Sequence, residues 1–335
     1  MPANLRFKYN KGNNQRDGLT NRLFFSFLHN TMPLPFPFAC PYCHTTLDLI
    51  AIDELRCPND GLRFPCVDGV WRFLLPERAT YFAPFIRDYE TVRRAEGRSG
   101  DPADYRALPY LDLTGKNAPD WRIRAASFEA FFAQVVRPLE RPGAALTALD
   151  LGAGNGWLSN RLASRGHRLT AVDLTVNDFD GLGCRRYYET AFTPAQAEFE
   201  RLPFHDGCAD LAIFNASLHY AVDVRAALTE ALRALKTDGE LVILDSPFYH
   251  DPTSGAQMVR EREESFLRQY GFRSNMLPSK NYLTYNELKD LGAALGVRWQ
   301  ILTPFYGLSW LLKPLKASLL RRREPAKFHV IVGRR

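Results

Sequence analysis

No apolar stretch of the sequence approaches the ~20 residues that a helix needs to cross a bilayer. The longest candidates, residues 23–28 and 308–312, are far shorter. The sequence also lacks the architecture of a signal peptide, and it holds only six cysteines. We therefore expect a cytoplasmic protein without a transmembrane segment, in which structural disulfides are disfavoured.

The net charge of +6 is distributed unevenly along the chain. Residues 296–335 carry nine Lys/Arg and one Glu, residues 1–36 carry five Lys/Arg and one Asp, and the middle is acidic. A basic tail on an acidic body predicts a local contact with an anionic group, not a broad nucleic-acid surface. The alternative is a charged rim exposed to solvent. With 46% hydrophobic and 13% aromatic residues among 335, the chain can form about two domains with a proper core.

A glycine-rich loop, Gly152-Ala-Gly-Asn-Gly156, organises the rest of the chain. Residues 145–151 before it are typical of a buried strand, and a helix opens at Asn155. A second predicted strand ends in Asp173, 21 residues after Gly152, where dinucleotide folds place a carboxylate for ribose hydroxyls. The GxGxG spacing is tighter than theirs, and Asp150 would repel a pyrophosphate but suits a cationic ligand. Dinucleotide binding is therefore the weaker alternative.

Three further motifs follow the loop in order along the chain. They are Glu-Phe-Glu-Arg-Leu-Pro-Phe-His-Asp at 198–206, Ala-Asp-Leu-Ala-Ile-Phe-Asn-Ala-Ser-Leu-His at 209–219, and Leu-Lys-Thr-Asp-Gly-Glu-Leu-Val-Ile-Leu-Asp at 235–245. With the loop, they resemble the class I S-adenosylmethionine (SAM) methyltransferases, in the branch that contains ubiquinone-biosynthesis methyltransferases. The resemblance covers roughly residues 121–335. It implies an α/β, Rossmann-like sheet of seven strands, the last antiparallel.

Alternating patterns along the same region predict the individual elements. We place strands at 146–151, 168–173, 195–199, 209–214, 240–245, 298–303 and 328–333, and helices at 121–139, 156–165, 222–235, 256–270 and 284–294.

The resemblance also implies a set of SAM-binding residues. Asp173 would accept from the ribose hydroxyls, with Leu174 against the adenine, and Glu198 would take the adenine amino group beside the Phe199 backbone. The loop would surround the methionyl part, and two residues after the fourth strand would border the sulfonium; these are Asp150, Gly152, Ala153, Gly154, Gly156, Asn215 and Ala216. The alternatives are that Asp150 caps the helix after the loop and that Glu198 is only a surface charge.

A general base is harder to predict, because methyl transfer depends largely on holding the nucleophile in near-attack geometry. His219 follows the fourth predicted strand and His250 the fifth, at the carboxyl edge where open sheets bind ligands. A neutral imidazole at either position is a candidate base.

Residues 37–76 form a separate cysteine-containing unit. Cys40-Pro-Tyr-Cys43 is followed by Cys57-Pro-Asn-Asp60 and then by Cys66. The pattern resembles the zinc-ribbon family that includes a small tRNA-methyltransferase activator subunit, although Asp60 stands where that family has its last cysteine. We expect Zn²⁺ on Cys40, Cys43 and Cys57, with Asp60 or Cys66 as alternative fourth ligands. The other interpretation is a ribbon without metal, held together by packing.

The remaining segments have weaker patterns. Residues 1–36 are predicted to be a poorly ordered tail, and Met32 is an alternative start of translation. Residues 77–120 form a connector whose aromatics either cover the cofactor pocket or pack the two domains together. Residues 304–326 are an apolar and then basic insertion. Its part at 305–323 either covers the active site or contacts a membrane surface or lipid-linked substrate.

The function expected from these features is transfer of the SAM methyl group to an O, N or C atom of a small molecule, lipid-like or a secondary metabolite. One alternative is an rRNA or tRNA base methyltransferase whose ribbon contacts RNA. Against it, Asn-Ala-Ser-Leu at 215–218 is not the motif typical of many base-amine methyltransferases. A second alternative is a non-catalytic SAM-binding protein whose ribbon docks a partner.

Overall fold

The computed structural model describes residues 38–98, 101–273 and 277–335. Predictions for the tail at 1–36, including the alternative start at Met32, lie outside these residues. The strands are β1 Asp48–Ala51, β2 Glu54–Arg56, β3 Arg63–Val67, β4 Val70–Arg72, β5 Thr147–Leu151, β6 Arg168–Asp173, β7 Thr193–Gln196, β8 Ala209–Asn215, β9 Leu235–Leu244, β10 Phe248–Tyr249, β11 Leu283–Thr284, β12 Arg298–Leu302 and β13 Val330–Arg334.

The α-helices complete the described elements. They are α1 Pro76–Ala95, α2 Pro102–Ala107, α3 Ala118–Phe131, α4 Arg137–Leu139, α5 Trp157–Ala163, α6 Val224–Ala234, α7 Pro252–Tyr270, α8 Tyr285–Leu295, α9 Leu308–Leu311 and α10 Lys313–Leu319. A π-helical turn, Phe132–Val136, joins α3 to α4.

The central part of the sheet has the order β7-β6-β5-β8-β9-β13-β12. Strands β7, β6, β5, β8 and β9 are parallel, and β13 runs antiparallel to both β9 and β12. All five residues of β5 are buried, as expected for a strand covered on both faces. The order reverses on either side of β5, so the loop after this strand lies at the crevice where open α/β sheets bind ligands.

The predicted boundaries differ from the observed ones at a few places. β7 spans Thr193–Gln196, whereas the prediction was 195–199. β9 begins at Leu235 and not at 240, because Leu235 already pairs with Ala209 before an irregularity in the ladder. The helix after the loop begins at Trp157, since Gly156 takes a left-handed conformation as its N-cap.

The seven predicted strands lie side by side, but the sheet does not end with them. Within the described residues it has eleven strands, because β1 to β4 of the 37–76 segment, which was expected to be a separate domain, continue it beyond β7. Strand β4 pairs in parallel with β7, with Trp71 opposite Ala195. The Phe38 ring packs against Phe204, at a centroid distance of 5.9 Å. Shared backbone hydrogen bonds and a shared apolar core therefore make Pro37–Arg335 one compact unit.

The described helices include none that is both long and apolar enough to span a membrane.

Candidate active site

The loop after β5 is held against the end of β6 by backbone hydrogen bonds. The amides of Gly152 and Ala153 donate to the Val172 carbonyl oxygen at 2.7 and 3.0 Å. The Gly154 amide donates to Asp173 Oδ2 at 2.8 Å. Gly152 and Gly154 have φ values of 80° and 55°, which glycine adopts at little cost. The loop thus exposes backbone where a ligand approaches closely.

The Asp173 carboxylate accepts hydrogen bonds from the glycine loop and from Thr175. Besides Gly154, its carboxylate accepts from the Thr175 amide and Thr175 hydroxyl at 2.8 and 2.7 Å. Burial raises the pKa of Asp173, and these hydrogen bonds oppose that rise. Oδ1 accepts both bonds from Thr175, whereas Oδ2 accepts only from Gly154 among the described residues, so Oδ2 keeps a lone pair for a further donor.

A first cleft, which we call the cofactor cleft, opens above this loop and encloses about 920 Å³ including its mouth. Nine of the residues expected to bind SAM line it: Gly152, Ala153, Gly154, Asp173, Leu174, Glu198, Phe199, Asn215 and Ala216. Asn215 Oδ1 is buried and has no hydrogen-bond partner among the described residues. The cleft therefore combines apolar walls with polar atoms that a ligand can satisfy.

Two residues expected at the cofactor do not line this cleft. Asp150 is fully buried beneath the loop, and its Oδ2 accepts from the Ser159 amide and hydroxyl of α5 at 3.2 and 2.8 Å. Burial raises the pKa of Asp150 to about 7. Gly156 faces Phe192, where a Cβ would lie only 2.8 Å from a ring carbon. Asp150 thus accepts from the first turn of α5, as in its helix-capping alternative, and Gly156 leaves room for the Phe192 ring.

Glu198 lines the cleft as expected, but its carboxylate already has a partner within the protein. The Arg78 guanidinium of α1 donates to both Glu198 oxygens, with Nε at 2.9 and 3.1 Å. Glu198 is 4% exposed, so the pair is buried on the carboxylate side. Arg78 also lies over the Tyr81 and Phe82 rings. The pair ties α1 to the edge of the cleft, a contact between residues 120 positions apart that no local pattern predicts.

The connector contributes directly to the cleft. Phe82, Phe85, Tyr89 and Arg93 of α1 line it. Phe85 and Tyr89 both pack on Tyr220, at centroid distances of 6.2 and 6.3 Å. The segment thus supplies one wall of the cofactor cleft, while its Tyr105 packs elsewhere, stacked on Tyr187.

A second cleft, which we call the acceptor cleft, adjoins the first and encloses about 1320 Å³ including its mouth. Both clefts share the residues Tyr89, Arg93, Arg124, Ala216 and Tyr220. This arrangement allows two ligands to meet at the shared wall. Its charged lining comes from α1, α3, α7, α10 and the stretches after β9 and α10; sequence reasoning singled out only the basic part at 305–323.

The two candidate bases have different surroundings. His219 lines the acceptor cleft, is 8% exposed and has Nδ1 3.3 Å from the Ser246 hydroxyl. Burial lowers the pKa of His219 to about 3, and the charges of Arg262 and Arg124 contribute. His250 is exposed, stacks on Tyr285 and is not part of the cleft lining. The structure thus brings His219, and not His250, to the cleft.

Asp245, directly after β9, is a further ionisable group in the acceptor cleft. The Ser127 hydroxyl donates to its Oδ1, and burial raises the pKa of Asp245 to about 6. Its φ of 50° is a left-handed conformation that a non-glycine residue adopts at a cost. Asp245 is the last residue of the motif at 235–245, but its position in that motif gave no reason to assign it a role.

Comparison with known proteins identifies the core of this site. Residues 149–243 match the family described as "Methyltransferase domain". This segment is a class I methyltransferase domain. It begins in β5 and ends in β9, so it contains the glycine loop, Asp173 and Asn215.

Individual relatives agree with the family match. A malonyl-[acyl-carrier protein] O-methyltransferase of Erwinia pyrifoliae is 34% identical over 102 residues, which are 30% of this chain and 38% of that protein. A demethylmenaquinone methyltransferase of Clavibacter sepedonicus is 29% identical over 150 residues, covering 44% and 59%. Among solved structures, the YcgJ protein of Bacillus subtilis superposes with a TM-score of 0.45 at 17% identity, covering 62% of this chain and 99% of that one. The chain spans about two fifths of the Erwinia relative.

Three cysteines of the 37–76 segment and Asp60 converge in the structure. Cys40, Cys43, Cys57 and Asp60 place one ligand atom each within 4.8 Å of one another. Cys43 Sγ lies 3.4 Å from Cys57 Sγ, and Cys40 Sγ lies 3.2 Å from Asp60 Oδ2. Cys66 does not belong to this group, because it lies on β3 opposite Trp71. Of the two alternative fourth ligands, the structure brings in Asp60.

The insertion at 304–326 does not bury its apolar side chains over the methyltransferase domain. Trp310, Lys313 and Arg323 line the acceptor cleft. The other large apolar residues point to solvent, with exposed fractions from 50% to 75%; they are Phe305, Leu308, Leu311, Leu312, Leu315, Leu319 and Leu320. Of the apolar residues expected to cover the active site, Trp310 lines the acceptor cleft, whereas the leucines are exposed to solvent.

Proposed function

We propose that the protein is a SAM-dependent methyltransferase that modifies a small molecule. The observation that carries the proposal is the joining of two clefts at Ala216 and Tyr220, one of which contains the glycine loop and Asp173. A cofactor in one cleft and an acceptor in the other would meet at this wall.

The residues of the cofactor cleft fit S-adenosylmethionine. Asp173 would hold the ribose hydroxyls, and Leu174 and Phe199 would contact the adenine. Gly152 and Gly154 would border the methionyl part, while the unpartnered Asn215 Oδ1 is an acceptor for its amino group. When bound, this cofactor supplies an electrophilic methyl group on a sulfonium. An acceptor held at the shared wall of the two clefts, at Ala216 and Tyr220, would present its lone pair to that methyl carbon, with the carbon–sulfur electron pair left on sulfur.

On the acceptor side, the protein would mainly orient the nucleophile and exclude water. His219 faces this cleft as a neutral imidazole and would accept a hydrogen bond from a hydroxyl or amine acceptor. Its low pKa makes it a weak base, so proton removal, where needed, would depend more on Asp245.

Calorimetry with S-adenosylhomocysteine tests the proposal. The intact protein should bind it, and Asp173→Ala should weaken binding by roughly 100-fold, because two hydrogen bonds to a carboxylate are lost. Asp178→Ala removes an exposed carboxylate nearby and serves as the matched control. A folded intact protein that does not bind, or equal losses in the two variants, would overturn the proposal.

We also propose that Cys40, Cys43, Cys57 and Asp60 bind a structural Zn²⁺. Three thiolates and one carboxylate in a tetrahedral set suit this ion, and the site would brace the ribbon where it joins the sheet. Metal analysis of the full chain should find one zinc per protein, lost in Cys43→Ser and retained in Cys208→Ser. A metal-free protein with reduced thiols would refute this site.

We further propose that the exposed leucines of α9 and α10 contact an anionic membrane surface, from which a lipid-like acceptor would enter the adjoining cleft. Apolar side chains beside Lys316, Arg321 and Arg322 are typical of interfacial helices. Co-sedimentation with vesicles containing phosphatidylglycerol should be lost in Leu315→Asp and retained in Ile52→Asp, since Ile52 is exposed on the ribbon. Equal binding by both variants, or no vesicle binding by the intact protein, would contradict this role.

A further inference from the structure

The acceptor cleft carries an excess of positive charge. Five cationic side chains and two carboxylates line it; the cations are Arg93, Arg124, Arg262, Lys313 and Arg323, and the carboxylates are Asp120 and Asp245. The walls between them are largely apolar or aromatic, as in most small-molecule sites. A neutral acceptor would leave this excess without a counter-charge inside the cleft.

Two of the cations are already neutralised within the protein. Arg93 Nε lies 2.6 Å from Asp180 Oδ2, and its Nη1 lies 3.0 Å from Glu96 Oε2. Arg323 Nε lies 2.7 Å from Glu261 Oε2. These contacts hold the two side chains in place and account for their charge.

Arg262 has no ion-pair partner within the part of the chain that the structure describes. Its Nε and Nη2 atoms are buried, yet neither donates a hydrogen bond to any atom of the described residues. It lies on α7 one turn after Met258, so both face the same cleft. Buried guanidinium N–H groups without acceptors are costly, and the planar fork of arginine matches the two oxygens of a carboxylate or phosphate. The pattern indicates a ligand that supplies those oxygens.

Arg124 lies where the two clefts meet and, like Arg262 and Lys313, has no ion pair among the described residues. Burial lowers the pKa of Arg124, the charges of Arg93 and Arg98 lower it further, and Asp245 opposes them. No ion pair to Arg124 is formed by the residues that the structure describes. An anion bound between Arg124 and Arg262 would relieve this crowding of like charges.

We propose that the methyl acceptor is an anionic small molecule whose carboxylate or phosphate group is bound by Arg262 and Arg124. The proposal rests on the proposed methyltransferase function and names the class of its substrate. Aromatic side chains of the same cleft, Tyr249, Trp310 and Phe328, would contact the apolar remainder of the molecule.

Binding of matched probes to the full chain saturated with S-adenosylhomocysteine tests this assignment. The probes are phenylacetate, phenyl phosphate and the neutral phenylacetamide, titrated by calorimetry or ligand-observed NMR. We expect at least one of the two anions to bind about tenfold or more tightly than the amide. The anion that binds better distinguishes a carboxylate acceptor from a phosphorylated one.

Variants of α7 locate the binding group. Arg262→Gln should weaken anion binding about tenfold, while Arg262→Lys, which keeps the charge but not the fork, should lose less. Arg260→Gln changes the net charge equally at an exposed position of the same helix and should have no effect. Arg124→Gln should repeat the loss, and thermal melting checks that each variant is folded.

S-adenosylhomocysteine binding, measured in the same samples, tests the methyltransferase proposal separately from the anionic acceptor. Failure to bind it would overturn the methyltransferase proposal. Normal binding of it with no preference for anions, or with equal effects of Arg262→Gln and Arg260→Gln, would overturn the anionic acceptor alone.

Discussion

A methyl group added at Gly152 would meet the Ser217 side chain, with Cβ only 2.2 Å from Ser217 Cβ and 2.8 Å from its hydroxyl oxygen. Ser217 has little freedom to move, because its hydroxyl donates to the Leu151 carbonyl oxygen at 2.5 Å. Gly152→Ala therefore combines overpacking, about 1–3 kcal/mol, with a left-handed conformation at φ 80°, about 1–2 kcal/mol. The free energy of unfolding should fall by roughly 2–5 kcal/mol.

Gly271 is the matched control for the conformational part of this cost. It ends α7 at φ 79°, and a Cβ there would have no atom within 4 Å. Gly271→Ala should therefore cost only about 1–2 kcal/mol. Urea unfolding without cofactor measures both variants, and their difference isolates the contact with Ser217. Equal losses would refute the close packing of the loop against the residues after β8.

The same substitution at Gly154 should act on binding more than on stability. A Cβ there would meet only the Asp180 carbonyl oxygen at 3.6 Å, so it occupies space at the wall of the cofactor cleft. We expect S-adenosylhomocysteine affinity to fall by about tenfold or more, with a stability loss near that of Gly271→Ala. Unchanged affinity would contradict the assignment of this wall to the cofactor.

Three further changes test other parts of the structure. Burial lowers the pKa of His219 to about 3 in the folded protein, well below its value of about 6.5 in the unfolded chain. Neutral His219 therefore contributes at most about 4–5 kcal/mol to the free energy of unfolding above about pH 6.5, and this contribution is lost as the pH falls toward 3. Urea unfolding against pH should therefore be less acid-sensitive in His219→Asn, and parallel curves would contradict the burial. Arg78→Met leaves Glu198 buried and unpaired, so the free energy of unfolding should fall by about 3–5 kcal/mol. The control, Arg87→Met on the exposed side of α1, should lower it by less than about 1 kcal/mol. Equal losses in the two variants would refute the buried pair. A strong chelator should lower the melting temperature of the intact protein but not that of Cys43→Ser, and an unchanged melting temperature would argue against a structural metal.

Much of the methyltransferase domain could be predicted because its signals are local. A buried apolar strand, a glycine loop and a second strand ending in Asp173 lie within 30 residues, and the same short segment that carries the pattern also forms the structure. The alternation of strands and helices predicted a mostly parallel sheet for the same reason. Boundaries were less accurate at β7 and β9, where pairing with a neighbouring strand, and not the local pattern, decides where the strand begins.

The cysteine-containing segment at 37–76 has features that its local sequence pattern did not predict. The spacing of Cys40, Cys43 and Cys57 predicted a cluster, but the choice of Asp60 over Cys66 depended on how β3 folds back against β4. That β4 would pair with β7 and extend the sheet could not be read from either segment. Edge pairing depends on two surfaces that are distant along the chain.

The sequence by itself therefore determined the fold of the methyltransferase domain and the position of its glycine loop and Asp173, because these follow from short-range periodicity and backbone conformation. Only the tertiary structure decided that Asp150 lies beneath the loop, that Glu198 pairs with Arg78, and that Arg124 and Arg262 face one cleft. Such contacts join residues far apart in the chain, so they arise from the packing of whole elements. In our proposals, that packing would recognise the acceptor, and the local motif would recognise the cofactor.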